Sequence, residues 1–319
     1  MTGERNGKRM FVSAQHSSML AYYSEADAIK MLSDAGFDAI SYDFHANERF
    51  YSRDRNPEEL VTLRKIAEDN GMFFNQSHAP FRHPGNESEM NKYIDDIIQS
   101  IKFSSLLGAK IIVVHPLKFI SGRPETEEAV FETNMEFYNK FTPYCEEYGV
   151  KVALENMWQY KDCLGTKAIV HSTCSKPAEF VKYPDALDND CFVGCLDIGH
   201  ALLVREDPAE FTRILGNKYL KALHVHDVNG FVDTHTLPYY GGMGDWNCIS
   251  QALYDIGYGG EFTFEAGNFI KILPKELRQW GPEPTLVSHS NFPCNGSKSL
   301  ENTTVFPAEF TLLQKKLLM

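Results

Sequence analysis

No stretch of this chain approaches the run of about 18 apolar residues that a membrane span requires, and the N-terminus has no apolar leader: Met1 to Arg9 is polar, and Met10–Ala14 is too short. Positive charge is also scarce. Lys and Arg number 31 against 43 Asp and Glu, a formal net charge of −12, which disfavours a protein whose affinity comes from neutralising phosphates. The seven cysteines are an odd number and form no CxxC pair. Cys191 and Cys195, four apart in a predicted buried strand, read as small hydrophobes. A Walker A loop, a GxGxxG after a strand, a GxSxG and an HExxH are all missing. These absences point to a cytoplasmic enzyme acting on a small neutral substrate, with no membrane partner and with nucleic acid disfavoured as one.

What is present is alternation. Strand signals at Met10–Gln15, Phe37–Phe44, Met72–Ser77, Lys110–His115, Val150–Glu155, Phe192–Asp197, Leu220–His226 and Glu261–Glu265 alternate with helical patterns. The helices carry their own punctuation: Ser24 before Glu25–Ala35, Pro57 opening Glu58–Asn70, and glycines 36, 71, 108 and 149 at helix ends. One helix is expected from Thr126 to Tyr148, and a long loop containing Trp158, Cys163 and Gly165 after strand five. Eight strands alternating with helices predict a single-domain (β/α)8 TIM barrel over residues 1–280. Pro274–Trp280 starts a last helix, but Pro282 and Pro284 interrupt it, and residues 281–319 form an atypical tail with no assigned structure.

The strands end in chemistry. His78, His115, Glu155, Asp197 with His200, His226, and Glu265 terminate successive strands, and Asp233 and His235 follow in the loop after His226. A barrel of this kind gathers its C-terminal strand ends on one face, where the active site sits. So many carboxylates and imidazoles together are costly to desolvate without a cation. Glu155, Asp197, His226 and Glu265 are therefore the expected ligands of a divalent ion, Mn2+ first, with Zn2+, Mg2+ or Co2+ compatible with the same mixed oxygen and nitrogen set. His78, His115, His200, Asp233 and His235 form an outer set expected to bind substrate. His224, two residues before His226, shares its face and is read as a core histidine one layer deeper. His16 and His45 are weaker pocket candidates; His83, His171 and His289 read as solvated. Trp158, Trp246, Phe81 and Tyr240 are expected in mouth loops. A metal flanked by two carboxylates suits proton transfer next to a sugar carbonyl through an enediolate, with Glu155 and Glu265 as the acid/base pair.

These residues resemble the xylose-isomerase-like barrel superfamily over roughly Met10 to Lys275. The most specific stretch is HVHDVNGFVDTHTLPYYGGMGDW, His224 to Trp246, followed by GYGGEFTFEAG. It is similar to the sugar-isomerase pattern HxHDxxG…DxH…PGxGxxDW, with Tyr239–Gly242 departing from its Pro-Gly. The resemblance implies a sugar isomerase or epimerase in which Glu155, Asp197, His226 and Glu265 bind one metal and His200 contacts substrate. Two other branches remain open. One is a metal-dependent lyase of the inosose dehydratase or C-glycoside deglycosidase α-subunit kind, where the tail would meet a partner subunit. The other is an apurinic-site endonuclease with three zinc ions. Homo-oligomer formation is compatible with either.

Overall fold

The computed structural model describes residues 10–45, 55–118 and 126–268; the expected helix Pro274–Trp280, the tail 281–319 and His289 lie outside the described residues. Parallel strands β1 (Val12–Gln15), β2 (Ala39–Asp43), β3 (Phe73–His78), β4 (Ile111–Val114) and β5 (Lys151–Glu155) pair in order. After a two-stranded insertion, β6 (Trp158–Cys163) and β7 (Thr166–His171), the sheet resumes with β8 (Phe192–Asp197), β9 (Leu220–His224) and β10 (Phe262–Phe264). β10 pairs with β1, and a parallel bridge between Val225 and Phe264 joins β9 to β10. The result is a (β/α)8 barrel, as the alternation predicted.

Helices α1 (Glu25–Asp34), α2 (Pro57–Asp69) and α3 (Glu87–Leu107) fill the first crossovers. Their N-termini are capped by Ser24, Asn56 and Asn86, whose side-chain oxygens accept from the backbone N–H of Asp27, Glu58 and Glu89. Gly108 ends α3 at φ 86°, a left-handed conformation that costs glycine nothing. The helix expected from Thr126 to Tyr148 is two, α4 (Glu127–Asn139) and α5 (Thr142–Tyr148). Pro143, in the first turn of α5, lacks the N–H that a continuous helix needs and clashes with the preceding turn. The remaining crossovers carry α6 (Pro177–Phe180), α7 (Lys182–Leu187), α8 (Ile198–Leu203), α9 (Pro208–Tyr219) and α10 (Trp246–Asp255). No described helix is long and apolar enough to cross a membrane.

The loop expected after β5 is the β6–β7 hairpin. Its turn, Leu164–Gly165, has both residues at positive φ, 56° and 83°, which matches the right-handed twist of paired strands. Its strands are mostly exposed and polar, so no alternating apolar pattern marked them.

Two apolar cores sandwich the barrel wall. The larger lies between strands and helices; the smaller, Val113, Ala153, Val193, Cys195 and Ala222, lies inside the barrel. Strand side chains alternate in direction, so residues two steps beyond this inner layer also face inward: Glu155 above Ala153, Asp197 above Cys195, His224 above Ala222. A polar chain crosses the interior between β1, β3 and β10. Ser13 Oγ donates to Asn75 Oδ1 at 2.7 Å, Asn75 Nδ2 to Thr263 Oγ1 at 3.0 Å, and Thr263 Oγ1 to Gln76 Oε1 at 3.4 Å. All four side chains are buried. Asn75→Ala would leave the Ser13 and Thr263 hydroxyls short of partners, and a loss of about 1–3 kcal/mol is expected in urea denaturation; an unchanged midpoint would show that the chain contributes nothing to closure.

Candidate active site

The inward face of the barrel mouth brings the strand-end residues together. Glu155, Asp197, His200, His224, His226, His78 and Glu265 are all buried. His115 Nε2 and His78 Nε2 lie 3.0 and 3.5 Å from Glu155 Oε2. On the other side of that carboxylate, His200 Nδ1 is 3.2 Å and His224 Nδ1 3.3 Å from Oε1. His224 Nδ1 is also 3.7 Å from Asp197 Oδ2, and its Nε2 is 3.4 Å from Glu265 Oε1. His226 Nε2 is 3.0 Å from Asp197 Oδ1, and His226 Nδ1 is 3.8 Å from Asp233 Oδ1. Asp233 Oδ2 lies 3.4 Å from His200 Nε2 and 3.2 Å from His235 Nε2.

The position of His224 departs from the sequence-based expectation. Instead of sitting in a layer below the site, it lies between Glu155, Asp197 and Glu265, while His226 lies toward Asp233 and His235, stacked on the His235 ring at 4.0 Å. The cause is the strand register. Gly194 pairs with Leu220, but an irregularity before Cys195 advances β9 by one residue, so that Asp197 is level with His224. Sequence spacing shows that His224 and His226 share a face; it does not show which is level with Asp197.

Neighbouring groups orient the donors. Asp197 Oδ1 caps α8 by accepting from His200 N–H at 2.7 Å, so its capping role and its place in the cluster coincide. Asn156 Nδ2 donates to the Asp197 carbonyl at 2.9 Å and its Oδ1 accepts from Asp197 N–H at 2.7 Å, locking β5 to β8. Gln15 Nε2 donates to Glu265 Oε1 at 2.8 Å. Gly199 admits no side chain, because a Cβ there would lie 2.0 Å from His226 Cε1. Asn156 and Gln15 carried no signal beyond standing at or beside strand ends.

Burial opposes charge on His78, His115, His200, His235 and Glu155, yet attraction between them and their neighbours prevails at all but His115. Hydrogen bonding and attraction from Glu155 outweigh burial at His78 and lift it to about 9. Burial is likewise outweighed at His235, where Asp233 raises it to about 9, and at His200, held well above its ordinary value by Asp197 and Asp233. Burial wins at His115, pushed down to about 4 despite Glu155. Against its own burial, the Glu155 carboxyl is held well below the usual range by His115 and His224.

The donor set fits a divalent cation. Glu155 Oε2, both ring nitrogens of His224, His226 Nδ1 and Asp233 Oδ1 are buried without an aligned hydrogen bond. Four overlapping triads, His78–Glu155–His224, Asp197–His224–Glu265, Asp197–His200–His226 and His226–Asp233–His235, each have ligand atoms within 4.8 Å of one another. Carboxylate oxygens and imidazole nitrogens of this mixture suit Mn2+, Zn2+, Co2+ or Mg2+.

A cavity of about 410 Å³ opens onto the cluster. His45 and Phe81 line it, their rings stacked at 3.8 Å, as do Trp158, Lys118 and His83, the last read from sequence as solvated. His16 is buried against Tyr42 rather than lining it. His171 pairs with Glu206 on the surface, and Tyr240 is exposed. A larger cavity, about 620 Å³, lies beside the hairpin and reaches none of the clustered donors.

The loop carrying Asp233 and His235 is clasped at its base by Asp227. Asp227 Oδ1 accepts from the N–H of Val228, Met243 and Gly244 at 2.8, 2.8 and 3.1 Å, and Oδ2 accepts from Trp246 Nε1 at 2.8 Å. Its backbone exchanges two hydrogen bonds with Thr236. Gly242 is required here, since a Cβ would fall 2.1 Å from the Asp227 carboxylate. The clasp ties the HVHD segment to the GDW segment in space.

Residues 29–283 match the model of the xylose isomerase-like TIM barrel family, and the chain belongs to that family. It is 26% identical over 261 residues to an uncharacterized protein of Methanocaldococcus jannaschii, covering 79% of this chain and 83% of that one. It is 23% identical over 265 residues to one of Sinorhizobium fredii, covering 75% and 79%. Among solved structures it is similar to a D-tagatose 3-epimerase-like protein, with TM-score 0.66, 22% identity and coverage of 80% and 90%. A 3-keto-D-glucoside 4-epimerase from E. coli superposes with TM-score 0.62 at 15% identity, covering 81% and 92%. At such identities the structural likeness speaks for the fold alone.

Asp227→Asn replaces an acceptor with an amide facing donors. A stability loss of about 1–3 kcal/mol is expected, together with faster hydrogen exchange at the Met243 and Gly244 amides. Unchanged exchange at those amides would refute the clasp.

Proposed function

We propose that the chain is a divalent-metal-dependent sugar isomerase or epimerase that moves a proton on the carbon beside a carbonyl. The observation carrying this reading is the placing of Glu155 and Glu265 on opposite sides of His224, 3.3 Å from its Nδ1 and 3.4 Å from its Nε2. Glu155, Asp197, His224 and Glu265 would hold the ion, with His224 taking the place first given to His226. The bound ion supplies a Lewis acid that polarises the substrate carbonyl. One carboxylate takes the proton from the adjacent carbon and the opposite one returns a proton, the two needed for inversion at a carbon. Gln15 holds Glu265 Oε1 in place, and His200, braced between Glu155 and Asp233, is the group to meet a substrate hydroxyl. His78, His115, Asp233 and His235 complete the substrate-facing wall. The sugar epimerases among the similar structures agree with this assignment.

A second reading has its own observation. Donors extend on both sides of the central four, His78 and His115 beyond Glu155 and His200, Asp233 and His235 beyond Asp197, which is more than one ion uses. That arrangement favours a hydrolytic site with several ions, the endonuclease type included. Elemental analysis separates the readings: one ion per chain supports the epimerase, three support the hydrolase, and none would refute both. His224→Ala is expected to lose more metal than His226→Ala.

Catalysis is tested in D2O with a panel of ketoses and oxo-sugars. An isomerase or epimerase incorporates deuterium at one carbon and keeps its substituents, whereas a lyase releases water or an aglycone. Glu265→Gln is expected to lower turnover by about 10²–10⁴-fold with the fold intact by circular dichroism. Near-normal turnover in that variant would end the two-carboxylate mechanism.

A further inference from the structure

Lys118 stands out in the cavity as the one Lys or Arg side chain among its described lining residues. It lies three residues beyond His115, above the end of β4. Its Nζ donates to the Trp158 carbonyl at 2.6 Å and sits 5.8 Å from the Trp158 ring centroid. That hydrogen bond uses one of three N–H donors, and no described carboxylate lies within ion-pair distance of Nζ. The head group is therefore held by a neutral carbonyl, directed by an aromatic ring, and left with donors to spare. Most lysines leave their ammonium in bulk water; a partly buried ammonium without a counter-ion costs free energy unless something else pairs with it. Burial indeed pushes its pKa down, with Glu155 and Asp233 pulling the other way. Those two carboxylates belong to the donor cluster, where bound cations would neutralise them. His83, also lining the cavity, lies close enough to feel the charge on Lys118.

We propose that Lys118 is an anion-recognition residue, and that the substrate is a sugar bearing a phosphate or carboxylate group which its ammonium pairs with beside Trp158. The proposal rests on the sugar reading above and deepens it, and it revises the neutral substrate suggested by the net charge. About 410 Å³ is within the usual range for a small-molecule site, about 300–1,000 Å³. The Trp158 ring would lie beside the sugar carbons while the charged substituent reaches Lys118.

The test is calorimetry on the metal-loaded protein with three sugars, fructose, fructose 6-phosphate and glucuronate, and separately with inorganic phosphate. The wild type should bind one of the charged sugars at least about tenfold more tightly than fructose, and which one distinguishes phosphate from carboxylate. Lys118→Met should erase that preference, leave fructose binding and metal content unchanged, and weaken inorganic phosphate about tenfold; Lys118→Arg should restore most of it. Equal binding of charged and neutral sugars by the wild type, or a preference that survives in Lys118→Met, overturns the proposal while leaving the sugar reading in place. If no sugar binds but phosphate affinity still depends on Lys118, the sugar reading fails and the anion site stands.

Discussion

Everything at the barrel mouth follows from the confinement of four carboxylates, Glu155, Asp197, Asp233 and Glu265, in space largely closed to water. Like charges this close are unfavourable in a medium of low polarity, and the chain answers by interleaving imidazoles among them. Each carboxylate has ring nitrogens within ion-pair distance, and several of those rings hold a proton more firmly than usual. The imidazoles thus carry positive charge where a divalent ion would otherwise carry it. The arrangement is held from outside by groups that do not themselves titrate: the Asn156 amide, the Gln15 amide and the N-terminus of α8.

The barrel serves this confinement through parity and height. Parity comes from the strand itself, because every second residue faces inward. Height comes from how neighbouring strands are offset, and one offset between β8 and β9 decides which histidine stands among the central carboxylates. Inside the barrel, small residues such as Ala153 and Ala222 keep the inner layer compact, and the large apolar side chains lie outside against the helices.

Much of this was legible in the sequence. Strand-end residues, helix caps and glycine stops are local signals, and the alternation of elements is a property of pattern rather than of packing. Glu155, Asp197, His200, Asp233, His235, Glu265, His78 and His115 were singled out because a parallel barrel gathers one end of its strands at one mouth, and the structure brings these side chains together there. What could not be read depended on long-range relations. The height of His224 is fixed by a neighbouring strand's register. The β6–β7 hairpin hides in polar, exposed residues that bear no hydrophobic period. The break between α4 and α5 was signalled by Pro143, a residue a periodicity search passes over when apolar spacing continues on both sides. Lys118 is the plainest case, since a single lysine in a loop has no pattern at all and acquires meaning only from the cavity around it.

The Asp227 clasp has a consequence for how such a site diversifies. One carboxylate ties the start of the loop to its end, at Met243, Gly244 and Trp246, so the intervening segment is closed off from the barrel much as a ring is closed by a single link. Lengthening a loop whose ends are already joined costs little, since closure entropy grows only with the logarithm of length. The parts of residues 229–241 that lie outside Asp233, His235 and the Thr236 bridge can therefore change in length and chemistry while β9, α10 and the barrel beneath keep their places. The exposed Phe231, Val232 and Tyr240 of that segment mark where new specificity can be acquired without disturbing the buried histidines below.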